Sequence, residues 1–118
     1  MSPDILSESE HYKIYHEYEL AYIENKSDGR ILAETDFYGD PQGAFIDRKE
    51  RIAVIYGCGI YVYSFVWKKA YEFGFGKGSE IWAEELTLNE DGIPEIIAED
   101  GKKYPIKIQG KTVICKEK

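Results

Sequence analysis

The apolar residues of this chain recur mostly at every second position. Between His11 and Glu24, Tyr12, Ile14, His16, Tyr18, Leu20 and Tyr22 keep period two, the spacing of a half-buried strand. Tyr15, Tyr18 and Tyr22 would also share a helical face, but the aromatic and β-branched content favours a strand. Asn25 to Gly29 reads as a turn, with Asp28-Gly29 supplying a residue that tolerates positive φ. Ile31 to Tyr38 is a second strand, stopped by Gly39-Asp40-Pro41 because proline lacks the ladder donor. Ala44 to Asp47 is short and extended, and Arg48 to Arg51 is a charged turn. Ile52 to Tyr56 is almost wholly apolar and predicts a central strand. Gly57-Cys58-Gly59 breaks it, and Ile60 to Trp67 follows as its hairpin partner or its bulged continuation.

The second half is less regular. Lys68 to Phe73 predicts one helical turn ended by Gly74. The glycines at 74, 76 and 78 then predict a flexible loop reaching Ser79. Glu80 to Leu88, Pro94 to Ala98, Tyr104 to Gln109 and Lys111 to Lys116 are short strands, separated by turn residues at Asn89–Gly92, Asp100-Gly101 and Gly110. Turns at such intervals predict a meander. Residues 1–10 read as a loosely ordered polar lead-in, and no long repeat or linker divides the chain. The pattern predicts a single domain over 1–118, mainly β or α+β. Its expected form is an antiparallel meander sheet, curled or partly closed into a barrel, with at most one or two short helices.

Composition narrows the functions. A chain of 118 residues with 43% apolar content and ten Tyr, five Phe and two Trp can bury one core without a staple. Its net charge of −7 repels phosphate backbones, so nucleic acid is not an expected partner, whereas a basic protein is. The same charge also serves plain solubility. The first ten residues lack the apolar stretch of a signal peptide, and no run approaches a membrane span of ~20 apolar residues. With two cysteines and no such segment, the cytoplasm is the expected compartment, with Cys58 and Cys115 reduced.

Chemical motifs fail on spacing. Gly57-Cys58-Gly59 follows a strand, but Val62 stands where a dinucleotide fingerprint needs its third glycine, and a strand follows where a helix should. In Gly74–Ser79, Gly78 separates Lys77 from Ser79, whereas a phosphate loop needs its lysine followed directly by Ser or Thr. His11 and His16 are five apart and face opposite ways on a strand, and no Cys-x-x-Cys occurs, so no metal or cofactor is expected. Cys58 has no adjacent base and reads as a buried thiol, as does Cys115. Catalysis is therefore not expected.

Carboxylates and rings remain. Asp36, Asp40 and Asp47 flank one Gly-Pro turn and could converge, for acid–base work, for Mg²⁺ or Ca²⁺, or equally as an acidic patch for a partner's Lys and Arg, with turn capping the simplest assignment of each singly. Glu84 and Glu85 point to opposite sides of their strand. Tyr61 and Tyr63 share a face that suits core or interface equally. Trp67 and Trp82 are large anchors, with core packing the simpler assignment. The stretches Asp36-Phe37-Tyr38-Gly39-Asp40-Pro41, Ala44-Phe45-Ile46-Asp47, Ile52 to Gly59 and Ile60 to Tyr63 resemble small immunity proteins of bacterial polymorphic-toxin systems. The resemblance spans residues 31–67. It implies a single acidic domain that binds a cognate toxin, here a basic one, and blocks its active site or its substrate. No inhibitory residue carries over position by position. The expected partner contacts are Asp36, Tyr38, Asp40, Asp47, Tyr61, Tyr63 and Glu84. Two other readings stay open: a small enzyme or ligand-binding domain with a pocket near Gly57–Gly59, and an assembly subunit that pairs with a second copy through a Tyr-rich edge strand.

Overall fold

A computed structural model describes residues 4–118. The described chain is all β, with twelve strands in three antiparallel four-stranded meanders, none closed into a barrel. The first sheet contains β1 (Asp4–Glu8), β2 (Tyr12–Glu17), β3 (Leu20–Asn25) and β4 (Ile31–Asp36). The middle sheet contains β5 (Gly43–Ile46), β6 (Ile52–Gly57), β7 (Gly59–Ser64) and β8 (Lys69–Phe73). The third contains β9 (Ala83–Leu88), β10 (Pro94–Ala98), β11 (Lys103–Gln109) and β12 (Thr112–Cys115). Each sheet runs in sequence order. With no helix among the described residues, none is long and apolar enough to cross a membrane.

The apolar run from Ile52 to Val62 explains the stacking. A strand covered on one face alternates, whereas one covered on both is apolar throughout. Here period two splits the run between two cores. Ile52, Val54, Ile60 and Val62 pack with Ala83, Ile96, Ile106 and Val113 of the third sheet. Ala53, Ile55, Tyr61 and Tyr63 pack with Ile14, Ala21 and Ile23 of the first. The middle sheet is thus the filling of a three-layer stack.

The first strands of the three sheets lie side by side: β1 approaches β5, and β5 approaches β9, with Cα atoms within 8 Å. Among the described residues β4, β8 and β12 make no comparable approach, so the sheets come closest along one edge. A β-propeller builds its blades from four-stranded meanders of this kind, and three such meanders follow one another here. Asp4, Gly43 and Ala83 open equivalent strands, so the chain is a threefold structural repeat where the sequence suggested none.

Three further expectations need correcting. Residues 4–8 form a strand, paired with β2 from Asp4↔His16 to Glu8↔Lys13, where a loose lead-in was expected; residues 1–3 lie outside the described part. The single long strand over His11–Glu24 is a hairpin, β2 and β3, turning at Tyr18-Glu19 with Tyr18 at φ 55°. The helical turn over Lys68–Phe73 is strand β8. Its Tyr71 and Phe73 stand opposite Val62 and Ile60 on the face toward the third sheet, a burial one helical turn would not provide.

A polar clamp joins the first two sheets at one end of the stack. Ser9 Oγ donates to Glu50, the His11 amide donates to Glu50 Oε2 at 3.1 Å, and His11 Nδ1 lies 2.7 Å from Oε1. These bonds raise the His11 pKa above its usual 6.5, Glu50 being the cause, and hold Glu50 below 4.5 through Ser9 and then His11. The imidazole contributes fully below 6.5, and its share is lost as pH rises through its raised folded value. The carboxylate contributes fully above 4.5, and its share is lost as pH falls through its lowered value. The clamp is therefore intact between those two pH values. In an NMR titration His11 is expected to deprotonate above 6.5, and near 6.5 in Glu50→Gln. Identical curves for the two proteins would mean that the contact does not exist in solution.

Candidate functional site

At the opposite end, five connections come together: Tyr18-Glu19, residues 37–42, Cys58, residues 74–82 and residues 99–102. Backbone bonds knit them into one surface. The Phe37 amide donates to the Glu19 carbonyl at 2.9 Å, Gln42 to Tyr56 at 2.8 Å, Gly59 to Ile81 at 2.8 Å and Glu99 to Trp82 at 2.8 Å. Cys58 and Trp82 form an isolated antiparallel bridge, which ties the tip of the middle sheet to the third.

Glycine allows this close approach. Gly59 sits at φ 112°, and a Cβ there would lie 2.8 Å from the Phe75 ring. At Gly57 a Cβ would meet the Pro41 backbone at 3.1 Å. Phe75 in turn packs against Phe37 with ring centroids 5.4 Å apart. The segment Gly74–Ser79 is a loop, and its Phe75 packs against Phe37 and over Gly59.

Two adjoining hollows open on this surface. One is lined by Tyr38, Gly39, Asp40, Gln42, Gly57, Cys58, Trp82, Ala83, Glu84 and Glu99. The other is lined by Glu80, Ile81, Trp82, Ala98, Glu99, Asp100 and Tyr104. Trp82 and Glu99 are shared, so the indole forms a ridge between two acidic troughs. Its ring meets Tyr38 edge to face, centroids 6.4 Å apart. Tyr38 is 79% exposed and Trp82 46%, an unusual solvent area for two large rings in contact. Five carboxylates border the troughs, at Asp40, Glu80, Glu84, Glu99 and Asp100, and no Lys or Arg lines either one. Lys102 lies 4.0 Å from Asp100 and 3.7 Å from Glu117, so its charge is shared between acids.

Cys58 lies in the floor of the first trough, 8% exposed. Burial pushes its thiol pKa up, and the nearby Glu80 charge adds to the rise. A nucleophilic cysteine needs the opposite surroundings. Neither histidine lines the trough: His11 is held by Glu50, and His16 Nδ1 lies 2.8 Å from the Tyr18 carbonyl. Among the described residues no three His, Cys, Asp or Glu side chains are placed to hold a metal ion. The arrangement offers negative charge, two exposed rings and backbone edges. That chemistry suits gripping a cationic surface.

Of the expected contacts, Tyr38, Asp40 and Glu84 come together here. Asp36 ends β4 on the outer face of the first sheet, pairing across it with Leu20. Asp47 lies at the far end of the stack, where Arg51 Nε reaches its Oδ2 at 2.6 Å. Burial opposes ionisation of Asp47, yet the Arg51 bonds win and hold its pKa below the usual 3.8. The three aspartates therefore do not converge, because β5 runs from one end of the stack to the other between Asp40 and Asp47. Tyr61 and Tyr63 are 5% and 6% exposed, core residues between the first and middle sheets, and present no side chain to a partner. Burial, with Glu72 and Tyr63 adding, pushes the Tyr61 phenol up to about 12. Both tryptophans, expected in the core, are about half exposed; Trp67 lies at the far end with Lys111 Nζ 5.0 Å from its ring centre.

Trp82 was legible as an anchor but not as a surface residue, and Glu80, Glu99 and Asp100 carried no individual signal. Trp82 and Glu99 share a hollow with Tyr38 only because the first and third sheets stack on the same middle sheet. Where a pocket near Gly57–Gly59 was an open reading, there is a trough bordered by exposed carboxylates.

The fold and the site define an all-β protein of three stacked meanders, with an acidic, aromatic groove at its loop end. No protein-family model matches the chain, and no curated protein matches its sequence.

Proposed function

We propose that this chain is a protein-binding module that grips a basic partner with the Tyr38–Trp82 groove, and that the partner is a cognate bacterial toxin which it neutralises. The observation that carries this reading is the exposed Tyr38–Trp82 pair set among five carboxylates without a lining base. Exposed rings supply desolvated anchor energy, and one-signed charge accelerates encounter with an oppositely charged surface. Carboxylates of one sign can stand in for a nuclease's substrate phosphates, so a basic active-site cleft is complementary in charge to the groove's acids. Groove residues are held by backbone bonds from all three sheets, which lowers the ordering cost of binding.

The test uses the product of the gene adjacent to this chain's own, expressed with and without it. The expected result is growth arrest by that product alone, relief by this chain, and a purified complex whose affinity falls as salt rises. Trp82→Ala is expected to weaken the complex by about 30-fold or more, the equivalent of ~2 kcal/mol at an anchor position. The pair Glu84→Lys and Glu99→Lys should weaken it further and slow association. A complex indifferent to all three substitutions and to salt would overturn the assignment of the groove.

A further inference from the structure

Within the chain, each contact between sheets is made face to face, but the arc has two ends. Among the described residues, the outer faces of the first and third sheets pack against no further sheet. Register places Glu34 beside Tyr22, and Asp36 beside Leu20, on the outer face of the first sheet. Glu17, opposite Leu20, and Glu24, opposite Lys13, share that face, so its acids outnumber its bases. Apolar side chains lie among them: Ile5, Leu20 and Ile31 are exposed, and Tyr15 and Tyr22 stack with centroids 5.2 Å apart.

The outer face of the third sheet has the opposite sign. Lys103 stands opposite Ile97, and Lys107 opposite Ile114, with both isoleucines only half-buried. Lys118 Nζ reaches Glu95 at 3.6 Å on the same face, and the Asn89 amide donates to Glu95 at 3.1 Å. Glu95 is thereby neutralised, and the lysines dominate over Glu85.

From these two faces we infer that the chain assembles head to tail with a second copy, the acidic outer face of each first sheet packing on the basic outer face of the partner's third sheet. The contact repeats the sheet-on-sheet packing already used twice inside the chain. Because the sheets come closest along the edge formed by β1, β5 and β9, that edge is a natural axis for further layers. Two arcs of three sheets would close into a ring of six, within the usual range of blades for a propeller. A head-to-tail contact that closes gives a finite assembly with both copies fully satisfied. Opposite charge on the two faces selects this pairing over like face on like face. The loop-end groove is left free, so this inference does not rest on the proposed function.

The experiment is mass measurement by light scattering at low salt and roughly 0.1 mM chain, enough to fill a contact of micromolar affinity. The expected mass is that of two chains, falling to one as salt is raised. Glu34→Lys with Asp36→Lys should give single chains, and so should Lys103→Glu with Lys107→Glu. Mixing these two variants in equal amounts should restore the mass of two chains, since each then meets an opposite face at both contacts. That rescue separates lost docking from lost folding. A wild-type mass of one chain at low salt, an open-ended series of larger species, or a mixture that stays at one chain would each overturn the inference.

Discussion

Ile60→Ala is expected to lower the unfolding free energy by about 2–5 kcal/mol, the usual cost of emptying a fully buried aliphatic site. Ile60 is completely buried, on the face of the middle sheet that meets Ile96 and Ile106. A domain of this size has only ~5–15 kcal/mol in total, so one substitution removes a large share. The melting temperature should fall by roughly 10–20 °C. Val66→Ala, at a residue 63% exposed, provides the control and should stay within about 0.5 kcal/mol of the parent. Chemical denaturation followed by tryptophan fluorescence measures both. Equal effects at the two positions would mean that the middle and third sheets are not packed as described.

Gly59→Ala is expected to cost about 3 kcal/mol, from two causes that a second glycine separates. At φ 112° an alanine is strained on its own account, and its Cβ would lie 2.8 Å from a Phe75 ring already packed against Phe37. Gly29 also has positive φ, 72°, but a Cβ there meets nothing within 4 Å. Gly29→Ala should therefore show the backbone share alone, about 1 kcal/mol. The difference between the two variants measures the Phe75 contact together with the greater backbone strain at φ 112°. Since Gly59 donates to the Ile81 carbonyl next to Trp82, the loss should also appear as weaker partner binding in protein that remains folded. Equal costs at both glycines would remove Phe75 from the account.

How much was readable in the sequence depended on whether the information was local. Pro94–Ala98 was legible to the residue, and the strands around Ile31, Ala44, Ile52 and Ile60 to within a few positions, because proline and glycine mark their ends. The Tyr18-Glu19 turn was not, since neither residue is a usual turn former and the period-two pattern runs straight through it. The strand over Lys69–Phe73 was hidden because its local composition fits a helical turn, while pairing with β7 decides the outcome. The apolar run from Ile52 announced a buried strand but not that both faces were covered. That missing step concealed the three layers, the repeat and the burial of Tyr61 and Tyr63. The groove was half legible: Tyr38, Asp40 and Glu84 stood out as ring and acids, but their meeting with Trp82, Glu99 and Asp100 is a property of stacking.

The two-faced middle sheet also bears on how the chain comes to be folded. Synthesis delivers the first sheet, then the middle one, and only then the residues that cover Ile52, Val54, Ile60 and Val62. In that interval a four-stranded sheet with an uncovered apolar face is attached to a finished neighbour, with strand edges available to any similar sheet close by. Slow or truncated translation beyond Ser79 should therefore yield insoluble product where full-length chains stay in solution, and the residues after Ser79 act as an internal chaperone for those before them.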